Sequence, residues 1–160
     1  MFPKIHFILG IIFVAILYFF FSPIISPFGL AIILLSSVFI DADHYVYYVF
    51  RKKNLNPFKS HEWYIQNVRK VYSLNKENRE KVYLGLYFFH GIESLIILFI
   101  LGFFYPIFTF VLIGFIFHLS VDFVSEIILR DRLDKISFIY NLFAFRKLTQ
   151  IEKFDSNANL

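Results

Sequence analysis

The sequence of 160 residues contains no cysteine. This absence excludes a disulfide framework, a thiolate metal site and a cysteine nucleophile. The chain also has no glycine-rich nucleotide-binding loop, no internal repeat and no low-complexity linker. Oxygen and nitrogen side chains are therefore the ligands from which a metal site could be built.

Apolar side chains dominate the composition. Hydrophobic residues make up 58% of the chain and aromatic residues 22%, with 24 phenylalanines. A soluble domain of this length could not bury so much apolar surface, so the composition favours a small polytopic membrane protein over a soluble globular domain. The formal net charge of +4 is less informative than the positions of the cations along the chain.

Four apolar segments have lengths suited to crossing a bilayer. We predict an all-α fold in which a four-transmembrane-helix bundle forms a single membrane domain over residues 1–160. The predicted spans cover about 5–22, 28–50, 82–104 and 107–129. The first segment could instead be a signal peptide, but no small-residue cleavage site follows it, so we favour a retained span.

Two segments outside the predicted spans have amphipathic character. The loop 51–81 contains nine of the sixteen Lys and Arg residues, and the sequence from Ser60 predicts an interfacial helix with Ser60 as its N-cap. Within the tail 130–160, residues 136–145 predict a second interfacial helix. The cations at 130 and 132 predict the water boundary of the fourth span, and residues 155–159 predict a frayed end.

The distribution of cations predicts the orientation. If the four spans alternate in direction, the amino terminus, the loop and the tail share one side of the membrane. All sixteen Lys and Arg residues fall on that side, which the positive-inside rule makes cytoplasmic. We therefore expect a multi-pass protein of the inner or plasma membrane with both termini in the cytoplasm.

Ionisable residues inside the predicted spans concentrate in their cytoplasmic halves. They are His6, Asp41, Asp43, His44, His90, Glu93, His118 and Asp122. Asp41 and His44 are three residues apart, as are His90 and Glu93, while His118 and Asp122 are four apart, so each pair would share one helical face. Because unpaired charges at membrane depth are costly, the set predicts mutual pairing, a proton path or a bound metal.

We favour a site for one or two divalent ions, with Zn²⁺ as the first choice and Mn²⁺ as an alternative. The predicted metal ligands are Asp41, His44, His90, His118, Asp122 and His6, the last as ligand or support. Glu93 and Asp43 are the candidate catalytic residues. Glu93 would be a ligand or the general base. Asp43 could be a bridging ligand, a partner that orients a histidine, or a bystander.

Several polar residues have simpler interpretations. His6 alone could be a satisfied polar residue between helices. We expect Glu126 at the water boundary, where it could pair with a cation four residues on. Ser94 and Ser125 are expected to aid helix packing, and His61 to belong to a helix start, although it could reach over the mouth of the site.

Three motifs in the predicted spans resemble those of a known family. They are Asp41-x-Asp43-His44 at the end of a span, His90 opening the next span, and His118-x-x-x-Asp122. Together with a histidine near the amino terminus, they resemble the inner-membrane metal-dependent hydrolase family of small polytopic, LexA-binding-type proteins. The resemblance extends over residues 3–125 and implies a divergent member with hydrolase activity.

Two departures from that family pattern stand out. Phe39 or Ile40 occupies the position of a proline that commonly precedes the aspartate motif. The family's Thr-His-Ser segment is replaced by residues 89–94, Phe-His-Gly-Ile-Glu-Ser.

The predicted function is hydrolysis of a lipid or lipid-linked (phospho)ester at the cytoplasmic leaflet by metal-activated water. The expected partners are the bilayer and such a substrate, with no nucleic acid; a homo-oligomer stays open. One alternative is a proton or metal-ion transporter, although the outer halves of the spans lack polar residues. Another is a structural membrane protein in which the polar layer only fixes helix packing.

Overall fold

The computed structural model describes residues 3–130 and 136–154. This part of the chain is mostly helical, which confirms the all-α class. The α-helices are α1 (Pro3–Phe21), α2 (Pro27–Phe39), α3 (Ala42–Lys52), α4 (Pro57–Ser73), α5 (Lys76–Glu80), α6 (Ile92–Phe104), α7 (Ile107–Arg130) and α8 (Phe138–Ala144). The predicted water boundary after the fourth span, apart from residue 130, and the predicted frayed end lie outside the described residues.

Two helical segments are long and apolar enough to cross a membrane, Pro27–Lys52 and Ile107–Ile128. Two further apolar helices, Ile5–Phe21 and Ile92–Phe104, are shorter. This assignment follows from length and composition, which the core helix of a soluble protein or a signal sequence can share. Four spans with cytoplasmic termini therefore stay a prediction.

The second predicted span contains a tightened turn at Ile40 and Asp41. There the backbone N–H of Asp41 bonds to the carbonyl of Val38, and the N–H of His44 bonds back to the carbonyl of Asp41, both three residues away. The turn separates α2 from α3 within one apolar segment. It places Asp41 at the junction of the two helices, where its side chain is only partly exposed.

The third predicted span is shorter than the sequence suggests. Helix α6 begins at Ile92, and the residues from 82 to 91 form a two-residue strand and an irregular segment. Strand β1 (Val82–Tyr83) pairs in parallel with β2 (Thr149–Gln150). The prediction of one helix over 82–104 is corrected here, because the apolar side chains of Val82 and Leu84 are buried in a small second core instead.

That second core joins α4 and the β1 segment to the end of the described chain. Its buried members are Tyr64, Val68, Val71, Val82, Leu84, Ile151 and Phe154. Polar contacts reinforce it: Trp63 Nε1 donates to Glu152 Oε1 over 2.6 Å, and Lys70 Nζ donates to the Phe154 carbonyl over 2.8 Å. The core therefore fixes one face of α4.

Helix α4 is amphipathic, with Tyr64, Val68 and Val71 buried along one side. Its N-cap is Asn56, whose side chain accepts from the backbone N–H groups of Phe58 and Lys59, so the helix starts earlier than predicted. Ser60, predicted as the cap, is a buried residue of the first turn instead.

Close packing of α2 against α7 sets the positions of the site residues. At Gly114 of α7, a Cβ atom would lie 2.6 Å from the carbonyl oxygen of Ile33 and 3.0 Å from the backbone nitrogen of Ser37. A side chain at this position would therefore push the two helices apart. Helix α1 packs beside α2, and α6 beside α7.

Candidate metal centre

Seven of the eight ionisable residues predicted for the site lie together. They are His6, Asp41, Asp43, His44, His90, His118 and Asp122. They come from α1, the α2–α3 turn, α3, the segment before α6, and α7. Two groups each offer three ligand atoms within 4.8 Å of one another: His6, His118 and Asp122, and Asp41, His44 and His90. Buried His and Asp side chains able to hold a metal ion are therefore present.

His118 is held in a defined orientation by α2. Its Nδ1 lies 2.7 Å from the carbonyl oxygen of Ser37, which can only accept, so Nδ1 carries the proton. In the neutral ring Nε2 is then the unprotonated nitrogen, and it is fully buried without a hydrogen-bond partner among the described residues. It lies 3.5 Å from Asp122 Oδ2 and 3.6 Å from Asp41 Oδ1. This lone pair directed at two carboxylates is the arrangement of a histidine ligand.

His90 is oriented in the same way by a carboxylate. Its Nδ1 lies 2.9 Å from Asp43 Oδ2, which also accepts from the backbone N–H of Phe89 over 2.9 Å. The His90 Nε2 atom then lies 3.4 Å from Asp41 Oδ1 and 3.6 Å from Asp122 Oδ2. Of the three predicted roles of Asp43, this geometry favours a partner that fixes a histidine.

Two carboxylate oxygens and two imidazole nitrogens of the cluster lie close to one another. They are Asp41 Oδ1, Asp122 Oδ2, His90 Nε2 and His118 Nε2. Each carboxylate oxygen lies 3.4 to 3.6 Å from both nitrogens. Tetrahedral zinc with bonds of about 2.0–2.2 Å separates its ligand atoms by about 3.3–3.6 Å. The four oxygen–nitrogen separations therefore match those between ligand atoms of such an ion.

His6 supports this group from α1. Its Nε2 lies 3.0 Å from Asp122 Oδ1, and its ring stacks on His118 with centroids 4.0 Å apart. Asp122 thus presents one oxygen to His6 and the other to the two histidines. His6 is 2% exposed, so α1 contributes a buried wall of the site.

His44 lies at the more accessible edge of the cluster. Its Nε2 is 3.2 Å from Asp41 Oδ1. The ring stacks on Tyr64 at 4.7 Å and meets the edge of Tyr87 at 3.9 Å. Sequence reasoning missed both tyrosines, because they belong to α4 and to an irregular segment whose approach to the site depends on the tertiary fold.

Glu93 is placed differently from its predicted role as ligand or general base. Its carboxylate accepts from the backbone N–H groups of Phe138 and Ile139, each over 3.0 Å, and from the hydroxyl of Ser137. It therefore anchors the N-terminus of α8. His90 precedes α6 instead of lying within it, so the shared helical face expected for His90 and Glu93 is absent.

Other polar residues also find defined places. The Ser94 hydroxyl donates to the carbonyl oxygens of Phe89 and Gly91 over 2.7 Å. Glu126 is 4% exposed, and its position at the water boundary stays a prediction. His61 lines a cavity that also borders Asp41 and His44, as its alternative interpretation anticipated.

The fold and the cluster together define an all-α protein with two helices that could span a membrane and with buried His and Asp groups that could hold a metal ion. No known family model, curated protein or solved structure matches this chain.

Proposed function

We propose that the protein is a membrane-embedded, metal-dependent hydrolase that holds one Zn²⁺ ion between Asp41, His90, His118 and Asp122. The supporting observation is that each of the two carboxylate oxygens lies 3.4 to 3.6 Å from both imidazole nitrogens, the separation expected between ligands of one zinc ion. The fixed tautomer of His118 adds to it, because a protonated Nε2 could not bind a cation.

The surrounding residues orient the proposed ligands. Asp43 fixes His90, the Ser37 carbonyl fixes His118, and His6 holds the second oxygen of Asp122. Such hydrogen bonds restrict each ligand to one rotamer and one tautomer. The centre is therefore expected to be organised before the ion enters.

The proposed reaction is hydrolysis of an ester. A bound divalent ion would lower the pKa of a water molecule and polarise the ester oxygen. With Glu93 engaged at α8, we assign proton transfer to His44. Its imidazole borders the cavity and faces Asp41, which can stabilise the charged ring once a proton has been taken up.

The proposed substrate is a lipid or a lipid-linked (phospho)ester at the cytoplasmic leaflet. In the four-span arrangement the cluster lies toward the cytoplasmic side, next to the basic loop 51–81. Cations at this level attract anionic lipid head groups. The wider proposal thus includes a multi-pass protein with both termini in the cytoplasm, related to the inner-membrane metal-dependent hydrolases.

Elemental analysis of the purified protein tests the metal centre. We expect about one zinc ion per chain in the wild type and almost none in a D41A/H118A double variant. Glu93→Gln is the matched control, since this acidic residue of α6 lies outside the cluster and should leave the metal content unchanged. Wild-type protein that binds neither zinc nor manganese would refute the proposal.

Activity provides the second part of the test. Hydrolysis of a panel of short-chain phospholipids and lipid phosphates should disappear after treatment with a chelator and return with added Zn²⁺. His44→Gln should retain metal but lose turnover. Loss of metal in this variant would instead make His44 a ligand.

A further inference from the structure

A cavity of about 190 Å³ opens beside the cluster, between the beginnings of α3 and α4. Its lining residues are Asp41, His44, Tyr45, Pro57, Ser60, His61 and Tyr64. The four residues from α4 follow helical spacing, so the first two turns of that helix form one wall. Asp41 and His44 form the opposite wall, which makes this cavity a direct approach to the cluster.

The α4 wall carries two polar side chains without partners. Ser60 is 7% exposed, and neither its hydroxyl nor the His61 imidazole has a hydrogen-bond partner among the described residues. Both groups lie near the N-terminus of a 17-residue helix, where the aligned peptide dipoles favour a negatively charged group.

Lys59 directly precedes the lining residue Ser60 in the sequence of α4. Lys53 and Lys59 are exposed, and within the described chain neither has a carboxylate partner. Other cations of this loop are held by acidic residues: Arg51 and Lys52 by Glu152, and Lys81 by Glu77. The charge of Lys59 is therefore not neutralised by an ion pair among the described residues.

Two exposed apolar residues, Leu55 and Phe58, flank the lining residue Pro57 in the sequence and are called the apolar rim here. Leu55 is 73% exposed and Phe58 79% exposed, on either side of Pro57, which lines the opening. The hydroxyl of Tyr45 donates to the Leu55 carbonyl over 2.6 Å and so ties the rim to α3. Exposed apolar side chains beside Pro57, together with a polar cavity wall, suit an amphiphile whose head enters and whose tail stays outside.

From these observations we infer that the α3–α4 cavity is the head-group subsite for a lipid phosphate, in which His61 and Ser60 bind the phosphate oxygens and Lys59 attracts them. The biological role of this subsite depends on the proposed hydrolase function, but the binding of a lipid phosphate is inferred from the cavity alone. Leu55 and Phe58 would contact the first methylene groups of the tail. His61 would thus be a substrate-binding residue supplied from outside the metal centre.

Binding of dihexanoyl phosphatidic acid below its critical micelle concentration tests the subsite by calorimetry on the full chain in detergent. We expect saturable binding that falls about tenfold in H61A and in K59A, as for the loss of a charge-assisted hydrogen bond or ion pair. The controls are Gln66→Ala on an exposed face of α4 and Lys76→Ala on α5, which should bind like wild type. Unchanged binding in H61A would overturn the inference.

Inorganic phosphate distinguishes a lipid from a soluble phosphate. It should bind at least about tenfold more weakly than the lipid, because burial of two to three methylene groups is worth that factor. Equal affinity would overturn the role of the apolar rim. Metal content measured on the same samples separates this inference from the proposed function. If the chain contains no metal but still binds lipid through His61, the metal centre is refuted and the lipid subsite is retained.

Thiol labelling gives an independent measurement, because the chain has no cysteine of its own. Pro57→Cys, at an exposed lining position with no assigned phosphate contact, should react with a water-soluble maleimide, and the lipid phosphate should slow this reaction. Lys76→Cys should react equally with and without lipid. Lack of protection at position 57 would count against occupation of the cavity.

Discussion

The carboxylate of Asp43 lies 2.9 Å from Nδ1 of His90 and so fixes which nitrogen of that ring faces the cluster. The same oxygen also accepts from the backbone N–H of Phe89, which holds the carboxylate itself. A backbone contact, a carboxylate and an imidazole thus form a chain that ends at the proposed ion. This relationship makes Asp43 a positioning residue with a measurable effect.

Asp43→Asn should weaken zinc binding by about 10- to 100-fold, the usual effect of losing a carboxylate behind a histidine ligand. The amide can still accept a hydrogen bond but no longer raises the basicity of the ring. Competition with a fluorescent chelator measures the affinity, and Asp43→Ala should bind no better than the amide variant. Wild-type affinity in both variants would show that Asp43 does not support the centre.

Gly114→Ala should destabilise the protein by about 1–3 kcal/mol, because the added methyl group meets the backbone of α2. It should also reduce zinc affinity, since displacement of α2 moves the Ser37 carbonyl away from His118. Thermal unfolding in detergent and metal content are the two measurements.

Gly102→Ala is the control for this substitution. The nearest atom to its new Cβ would be the Thr109 hydroxyl at 3.0 Å, a side-chain atom that can rotate away. A change of similar size in both variants would argue against a specific contact between α2 and α7.

Glu93→Ala should release the N-terminus of α8 while the metal stays bound. The backbone N–H groups of Phe138 and Ile139 would lose their acceptor, and the hydroxyl of Ser137 would lose its contact. Hydrogen exchange at these two amides should accelerate, whereas zinc content should match the wild type. Loss of zinc with unchanged hydrogen exchange at these amides would show that Glu93 belongs to the metal centre.

Acid should weaken the attachment of the last described residues to α4. Burial raises the pKa of Glu152, but hydrogen bonds from Lys52 and Trp63 and the charges of Lys52 and Arg51 outweigh it, so the pKa lies below its usual value. A lowered folded-state pKa contributes stability that is complete above the ordinary glutamate pKa of 4.5 and is lost as pH falls through the folded value.

Trp63 is the single tryptophan of the sequence, so its fluorescence reports this contact directly. We expect an emission change below about pH 4.5 in the wild type and a flat response over that range in Glu152→Gln. An identical acid transition in both proteins would assign it to other carboxylates.

Hydrophobic patterning predicted the helices around the site but not the route of the chain between them. The spacing of His118 and Asp122 placed both on one face of α7, and both indeed direct atoms at the cluster. His90 reaches the cluster from an irregular segment, which periodicity could not reveal. Its apolar neighbours resemble a membrane span in composition, yet Val82 and Leu84 pack against residues from the end of the described chain.

The role of Glu93 also could not be predicted from local sequence. An acidic residue three positions from a histidine fits a ligand pair by spacing alone. Its actual partners, Phe138 and Ile139, lie more than forty residues further along the chain. The tertiary fold decides which backbone groups donate to this carboxylate. Only the all-α class and the presence of metal-capable His and Asp groups followed securely from local sequence.

The contact of His6 with Asp122 has a consequence for biogenesis. These residues lie 116 positions apart, on the first and seventh helices. During synthesis, Asp41 and His90 emerge long before His118 and Asp122, so an ion captured early would have at most half of its proposed ligands. With the proposed ligands, tight metal loading would therefore wait until α7 has been made and has packed against α1 and α2, and ion retention would be a late marker of correct assembly.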